Sequence, residues 1–94
     1  MDWKDRKRFT DILGHRMAHV EMGDGAPVLF IHGNPTSSFL WRDVMAAMEG
    51  CGRLIAPDLI GCGDSAKLPD SGPDRYTIAE HAMFLDAWID TVIP

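Results

Sequence analysis

Val28-Leu29-Phe30-Ile31-His32-Gly33-Asn34-Pro35-Thr36-Ser37-Ser38 is an apolar run that meets a sharp corner and passes straight into hydroxyl residues. The run Val28 to Ile31 does not alternate, which suits a strand covered on both faces, as in a parallel sheet. Gly33 and Pro35 punctuate the chain, and Ser37 or Ser38 can cap a helix that follows. A strand that ends this way turns backbone N–H groups, and here the amide side chain of Asn34, toward whatever lies above the sheet. Such a corner suits holding a developing negative charge.

Working outward, Arg8 to Leu13 and Arg16 to Met22 read as two strands around Gly14. The second alternates, with Ala18, Val20 and Met22 on one face and Met17, His19 and Glu21 on the other. Gly23-Asp24-Gly25 is a turn. After the corner, Leu40, Val44, Ala47 and Met48 recur at helical spacing, and Gly50 or Gly52 ends that helix. Arg53 to Ala56 is the next apolar strand, and Pro57, which lacks a ladder donor, closes it. Asp58 to Pro73 is a loop rich in Gly, Pro, Asp and Ser. A helix from Thr77 to Val92 follows. Thr77 and Glu80 predict a capping box, and Ile78, Ala82, Leu85, Ile89 and Val92 predict one buried stripe. Phe39, Trp41 and Trp88 are expected to be core aromatics. Strand–helix–strand order makes the class α/β. The final helix leaves its βαβ unit without a return strand, and residues 1–94 are expected to be the N-terminal part of a single larger domain.

Composition excludes several function classes. The chain has 46% hydrophobic and 24% charged residues and a net charge of -5, which argues against a nucleic-acid partner. The basic cluster Lys4, Arg6, Lys7, Arg8 is expected to be a solvated N-terminal arm. No apolar run is long enough to span a membrane, and no signal peptide is visible. Cys51 and Cys62 are expected as free thiols in a reduced, cytoplasmic setting. No cofactor or metal is expected. Gly61-Cys62-Gly63-Asp64-Ser65-Ala66 fits a loose dinucleotide fingerprint, but Pro69, Gly72 and Pro73 argue against the helix that motif requires, so a tight turn is favoured. Spacing does not gather His15 and His19 into a metal site on a strand. His32 could be a base or a brace for the corner, and the brace is favoured. Asp58, at a strand end, could be a nucleophile or could hold the Gly-rich turn. The only later histidine, His81, is in no evident position to serve it, which favours the second role.

The segment Val28 to Arg42, with His32-Gly33-Asn34-Pro35, Thr36-Ser37-Ser38 and Trp41-Arg42, resembles the α/β-hydrolase fold and, within it, the haloalkane dehalogenases. Asp58-Leu59-Ile60-Gly61-Cys62-Gly63-Asp64-Ser65 is similar to that group's loop after the fourth strand, and Arg75-Tyr76 and Glu80-His81 also fit. The resemblance implies an enzyme in which an aspartate displaces halide from a haloalkane carbon and a histidine-activated water hydrolyses the resulting ester. It makes Asn34 a catalytic residue, with its side chain a halide ligand and its backbone N–H an oxyanion donor, Asn34 and Pro35 together the substrate- and halide-binding corner, and His32, Gly33 and Asp58 its structural supports. The family's nucleophile elbow, His-Asp-Trp-Gly, its base and acid, and its lid are not in the sequence, so the chain alone is expected to be inactive. Other readings are a portion of another α/β-hydrolase, such as an epoxide hydrolase or a luciferase-like relative, or a small non-catalytic domain. The edge strand 28–31 is expected to be open to association.

Overall fold

The computed structural model describes residues 7–33, 36–68 and 75–93. Strands β1 (Lys7–Ile12) and β2 (His15–Met22) form a hairpin, followed by β3 (Pro27–Leu29), a 3₁₀ turn at Ser38–Trp41, α1 (Arg42–Ala47), β4 (Arg53–Pro57) and α2 (Ile78–Val92). The sheet is mixed, in the order β1-β2-β4-β3. β1 pairs with β2 and β2 with β4 antiparallel, while β3 and β4 are parallel, with Val28 opposite Leu54 and Leu29 opposite Ile55. The hairpin turns at Leu13 and Gly14, both with positive φ, a conformation that glycine adopts freely and leucine at a cost.

Strand alternation sorts the core into two layers. On one side of the sheet, Met17, Ile55, Ile12 and Leu29 pack with Ile60, Leu68, Phe84 and Trp88 under α2. On the other, Val20, Leu54, Ala56, Val28 and Phe30 pack with Trp41, Met45 and Met48 of the α1 segment. The faces of β2 divide as the alternation predicts. Both are nevertheless covered from Met17 to Val20, because this strand lies inside the sheet with a helix over each side.

Two helical stripes differ from expectation. In the first, Leu40 and Val44 are exposed and Met45 is fully buried. The segment opens with a 3₁₀ turn, whose three residues per turn shift the phase of the α-helix that follows. Phe39 consequently faces outward, stacked under the Arg42 guanidinium 3.9 Å from the ring centroid. In α2, Leu85, Ile89 and Val92 pack half-buried against the core as expected, but Ile78 is 90% exposed and Ala82 is exposed, and Phe84 and Trp88 are the buried pair. The rings fill the space over Met17 and Ile55, so they set the rotation of the helix.

The α2 cap is also shifted. Thr77 accepts from the Glu80 N–H at 3.1 Å as expected, but Glu80 reaches back to the N–H of Tyr76, at 2.7 Å, and to Arg75, at 3.0 Å. Tyr76 has a positive φ of 57°, and its hydroxyl accepts from the Leu68 N–H at 2.7 Å. Its ring lies so close over Gly61 that any side chain there would collide with it. At the far end of α2, Arg53 binds both carboxylate oxygens of Glu21 at 3.1 Å and donates to the Val92 carbonyl at 3.2 Å. The guanidinium holds the Glu21 carboxyl below its usual range. No helix among the described residues is long and apolar enough to cross a membrane.

Candidate functional site

The corner after β3 begins where the ladder ends. The Phe30 N–H still donates to the Ile55 carbonyl at 2.9 Å. Two residues later a side chain takes over: His32, 3% exposed, accepts at Nε2 from the Leu59 N–H at 2.9 Å. That bond leaves the ring proton on Nδ1, which donates to the Gly33 carbonyl at 2.7 Å. Both ring nitrogens are thereby committed, and His32 braces the corner in the way a free base could not.

The second anchor is Asp58, fully buried beside the same loop. Its Oδ1 accepts from the Ser38 N–H at 2.7 Å, at the start of the 3₁₀ turn. Its Oδ2 accepts from the Asp64 N–H at 3.1 Å and from the Lys7 ammonium. Burial alone would raise the Asp58 carboxyl, but the Lys7 ammonium and the N–H groups of Ser38 and Asp64 outweigh it and hold the group below its usual value. Gly63, with positive φ, leaves room for the carboxylate where any side chain would collide with it. The carboxylate is engaged on both oxygens, which fits the holding of the turn.

His32 is thus tied to Leu59 and Ser38 to Asp58, two consecutive residues just past the end of β4. Inside the span, Thr36 donates to the Gly33 carbonyl through its N–H at 3.0 Å and its hydroxyl at 2.6 Å. Asn34 and Pro35 lie outside the described residues, as do Lys4, Arg6, Pro69, Gly72 and Pro73. The loop behind the clamp is itself pinned to β2. Ser65 Oγ donates to the Asp58 carbonyl at 2.6 Å and accepts from the Ala18 N–H at 2.8 Å, and the Ala66 N–H donates to Arg16. Gly61 to Ser65 are turns with no helix starting there, so the pyrophosphate-binding arrangement does not form.

Lys7 departs from expectation. It is no part of a solvated arm: its side chain is 6% exposed and paired with Asp58, and it also reaches Asp64 at 3.1 Å. The partner stands 51 residues away in sequence, and no local pattern announces the pair. Ser65 was likewise invisible in the sequence, because its role depends on β2 running beside the loop.

Elsewhere, Cys51 is an exposed free thiol and Cys62 a half-buried one, raised by burial and by the Asp58 charge. His19 is buried edge-on against Trp88, and burial pushes it below its ordinary value. Among the described residues, no group of three or more His, Cys, Asp or Glu side chains could hold a metal ion. A hollow of about 340 Å³ opens beside the corner, between Ile31 and Leu59, just past the ends of β3 and β4, and Ile78, Ala82 and Leu85 on α2, and its walls are almost wholly apolar.

Known proteins are similar to this chain. A haloalkane dehalogenase of Sphingobium indicum is 62% identical over 81 residues, 86% of this chain and 27% of its own length. One from Mycolicibacterium smegmatis is 47% identical over 87 residues, 93% of this chain and 28% of its own. Among solved structures, a haloalkane dehalogenase of Agrobacterium tumefaciens superposes with a TM-score of 0.78 at 43% identity, covering 92% of this chain and 29% of that one. Another, from Bradyrhizobium elkanii, gives 0.80 at 45%, covering 90% and 28%. The chain therefore spans a little over a quarter of the length of these relatives. The family model for the α/β-hydrolase fold matches residues 26–92, and with the β3–α1–β4 crossover and the clamped corner already in place, the chain belongs to the α/β-hydrolase fold family.

Proposed function

We propose that this chain supplies the halide-binding and oxyanion corner of a haloalkane dehalogenase, a hydrolase acting in the cytoplasm on small haloalkanes. The observation that carries this reading is the pair of ties from His32 to Leu59 and from Ser38 to Asp58, which hold the residues on either side of the segment containing Asn34. The similarity to haloalkane dehalogenases supports the choice of reaction. In that reaction an aspartate oxygen attacks the halogen-bearing carbon, and the carbon–halogen bond breaks with its electron pair leaving as halide. Water, deprotonated by a histidine, then adds to the ester carbonyl, and the tetrahedral oxyanion collapses to release the alcohol and restore the carboxylate. The balance is haloalkane plus water to alcohol, halide and a proton. The Asn34 side chain would stabilise the departing halide without bringing a counter-charge that would retain it, and its backbone N–H would hold the oxyanion. Pro35 stands beside it, and His32, Gly33 and Asp58 support the site. No cofactor or metal is needed for either step, because the charge that develops is met by N–H donors.

The test uses two proteins. The chain alone should release no halide from 1-bromobutane or 1,2-dibromoethane. A complete enzyme, in which this chain replaces the matching 81 residues of the Sphingobium relative, should release it. In that enzyme Asn34→Ala should lower turnover by about 10²-fold with little change in folding. An Asn34→Ala enzyme with undiminished turnover would reduce the residue to a corner filler.

A further inference from the structure

Asp24 is the one aspartate in the sequence that is followed by glycine. It stands in the turn between β2 and β3, exposed, with Gly23 and Gly25 exposed on either side. Among the described residues, neither the Asp24 carboxylate nor the Gly25 N–H has a hydrogen-bond or ion-pair partner. Gly25 has a φ of 114°, a conformation that a residue with a Cβ rarely adopts. A glycine nitrogen is also the least crowded amide a chain can offer.

The other described aspartates are held. The N–H after Asp58 donates to His32, and the N–H after Asp64 donates to the Cys62 carbonyl. Asp11 lies in β1, and Asp43, Asp86 and Asp90 lie in helices. Each of these is followed by a residue whose side chain crowds the carboxyl.

We propose that Asp24 is a site of spontaneous backbone modification, its conversion to isoaspartate. The Gly25 nitrogen attacks the side-chain carboxyl carbon of Asp24. A C–N bond forms, and one carboxyl oxygen leaves as water, taking the proton of the nitrogen and that of the acid. The product is a five-membered succinimide, to which water then adds. Opening at the side-chain carbonyl restores aspartate, whereas opening at the main-chain carbonyl leaves Gly25 joined through the side chain. The water lost on closure is regained, so the mass is unchanged and no co-reactant is consumed. The main chain is one atom longer, in a turn with no slack to take it. A Cβ at Gly23 would collide with the Gly52 carbonyl, Gly25 packs on the Gly52 Cα, and the Ala26 carbonyl accepts from the Arg53 N–H at 3.0 Å. The added atom therefore disturbs the entry of β3 onto β4.

The experiment holds dilute 94-residue chain at neutral pH, one sample folded and one in guanidinium chloride. Emission from the fully buried Trp88 verifies the folded sample. Aliquots are digested with an endoprotease that cuts before aspartate and not before isoaspartate. Cutting before Asp24 should be lost with time, with the mass of the uncut peptide unchanged, and the loss in the folded chain should keep pace with that in the unfolded one. Cutting before Asp11, Asp58 and Asp64 should persist in the folded chain. Asp24→Glu, whose ring would need six atoms, should abolish labelling of this peptide by an isoaspartate-specific methyltransferase. The purified isoaspartate form should melt at a lower temperature than its parent. A folded chain that stays fully cut before Asp24, whether or not the unfolded chain changes, overturns the proposal. Loss at Asp58 or Asp64 at the same pace, or labelling that survives Asp24→Glu, overturns it too.

Discussion

Asp58→Asn removes one charge and almost no volume from the centre of the clamp. The side chain is fully buried and receives the Lys7 ammonium and the N–H groups of Ser38 and Asp64. An asparagine oxygen can still serve Ser38, but its NH₂ then opposes the Asp64 N–H and the Lys7 ammonium. Lys7, itself 6% exposed, keeps only Asp64, whose side chain is 45% exposed. Breaking a buried pair from one side costs about 3–5 kcal/mol, because the remaining charge is left uncompensated. In the complete enzyme this corresponds to a fall in Tm of about 10 °C, at roughly 2–4 °C per kcal/mol. Lys7→Met should cost less, about 1–3 kcal/mol, since the carboxylate keeps two N–H donors. The double variant should be more stable than the sum of the singles predicts, because it no longer buries a lone ammonium. Thermal melts of the four proteins at pH 7 give the coupling directly. An Asp58→Asn enzyme within 1 kcal/mol of wild type, or additivity within about 0.5 kcal/mol, would refute this account of the clamp.

Two further outcomes follow from the packing. Burial holds His19 below its ordinary value despite the nearby Glu21 carboxylate, and burial does the same to His81. Between the folded and unfolded values the unfolded chain therefore binds more protons, and stability falls as pH drops below about 6.5; His19→Met should flatten that slope, and an unchanged slope in denaturant midpoints from pH 7.5 to 5 would exclude His19 as its source. The free 94-residue chain should associate through β3, which ends the sheet with Ile31 exposed and Ile78 exposed nearby. The other edge, β1, carries the exposed Arg8 and Asp11 as natural protection, so Ile31→Lys should shift sedimentation toward monomer, and a wild-type chain that is monomeric at every concentration would contradict this.

What could be read in the sequence was local. The corner announced itself because Gly33, Pro35 and the hydroxyl residues lie side by side, and each constrains the backbone within a few residues of itself. The strands were legible for the same reason: the runs at 28–31 and 54–56 are apolar without interruption, and β3 and β4 are indeed covered from both sides of the sheet. The helices formed where periodicity placed them, and Leu85, Ile89 and Val92 of the α2 stripe do pack against the core, but the most deeply buried positions lie elsewhere. Ile78 and Ala82 fit a helical stripe as well as Phe84 and Trp88 do, and only the position of the sheet decides between them. The two rings reach Met17 and Ile55, and the helix turns to let them do so.

The least legible feature is the one that fixes the candidate site. Nothing near Lys7 in sequence suggests a buried cation, and nothing near Asp58 says which of two roles its carboxylate takes. The hairpin brings the lysine to one end of the carboxylate, and the turn before α1 brings the Ser38 N–H to the other. Once both contacts exist, Asp58 is held as an anion in a place where burial alone would favour the neutral acid. Its charge is then spent on tying three chain segments together. Leu59, the next residue, holds His32 through its N–H, so one dipeptide at the end of β4 secures the corner from both sides. The chemistry proposed for Asn34 depends on that dipeptide although neither of its side chains need touch a substrate, which is why a motif search centred on the corner finds the donor but not the parts that aim it.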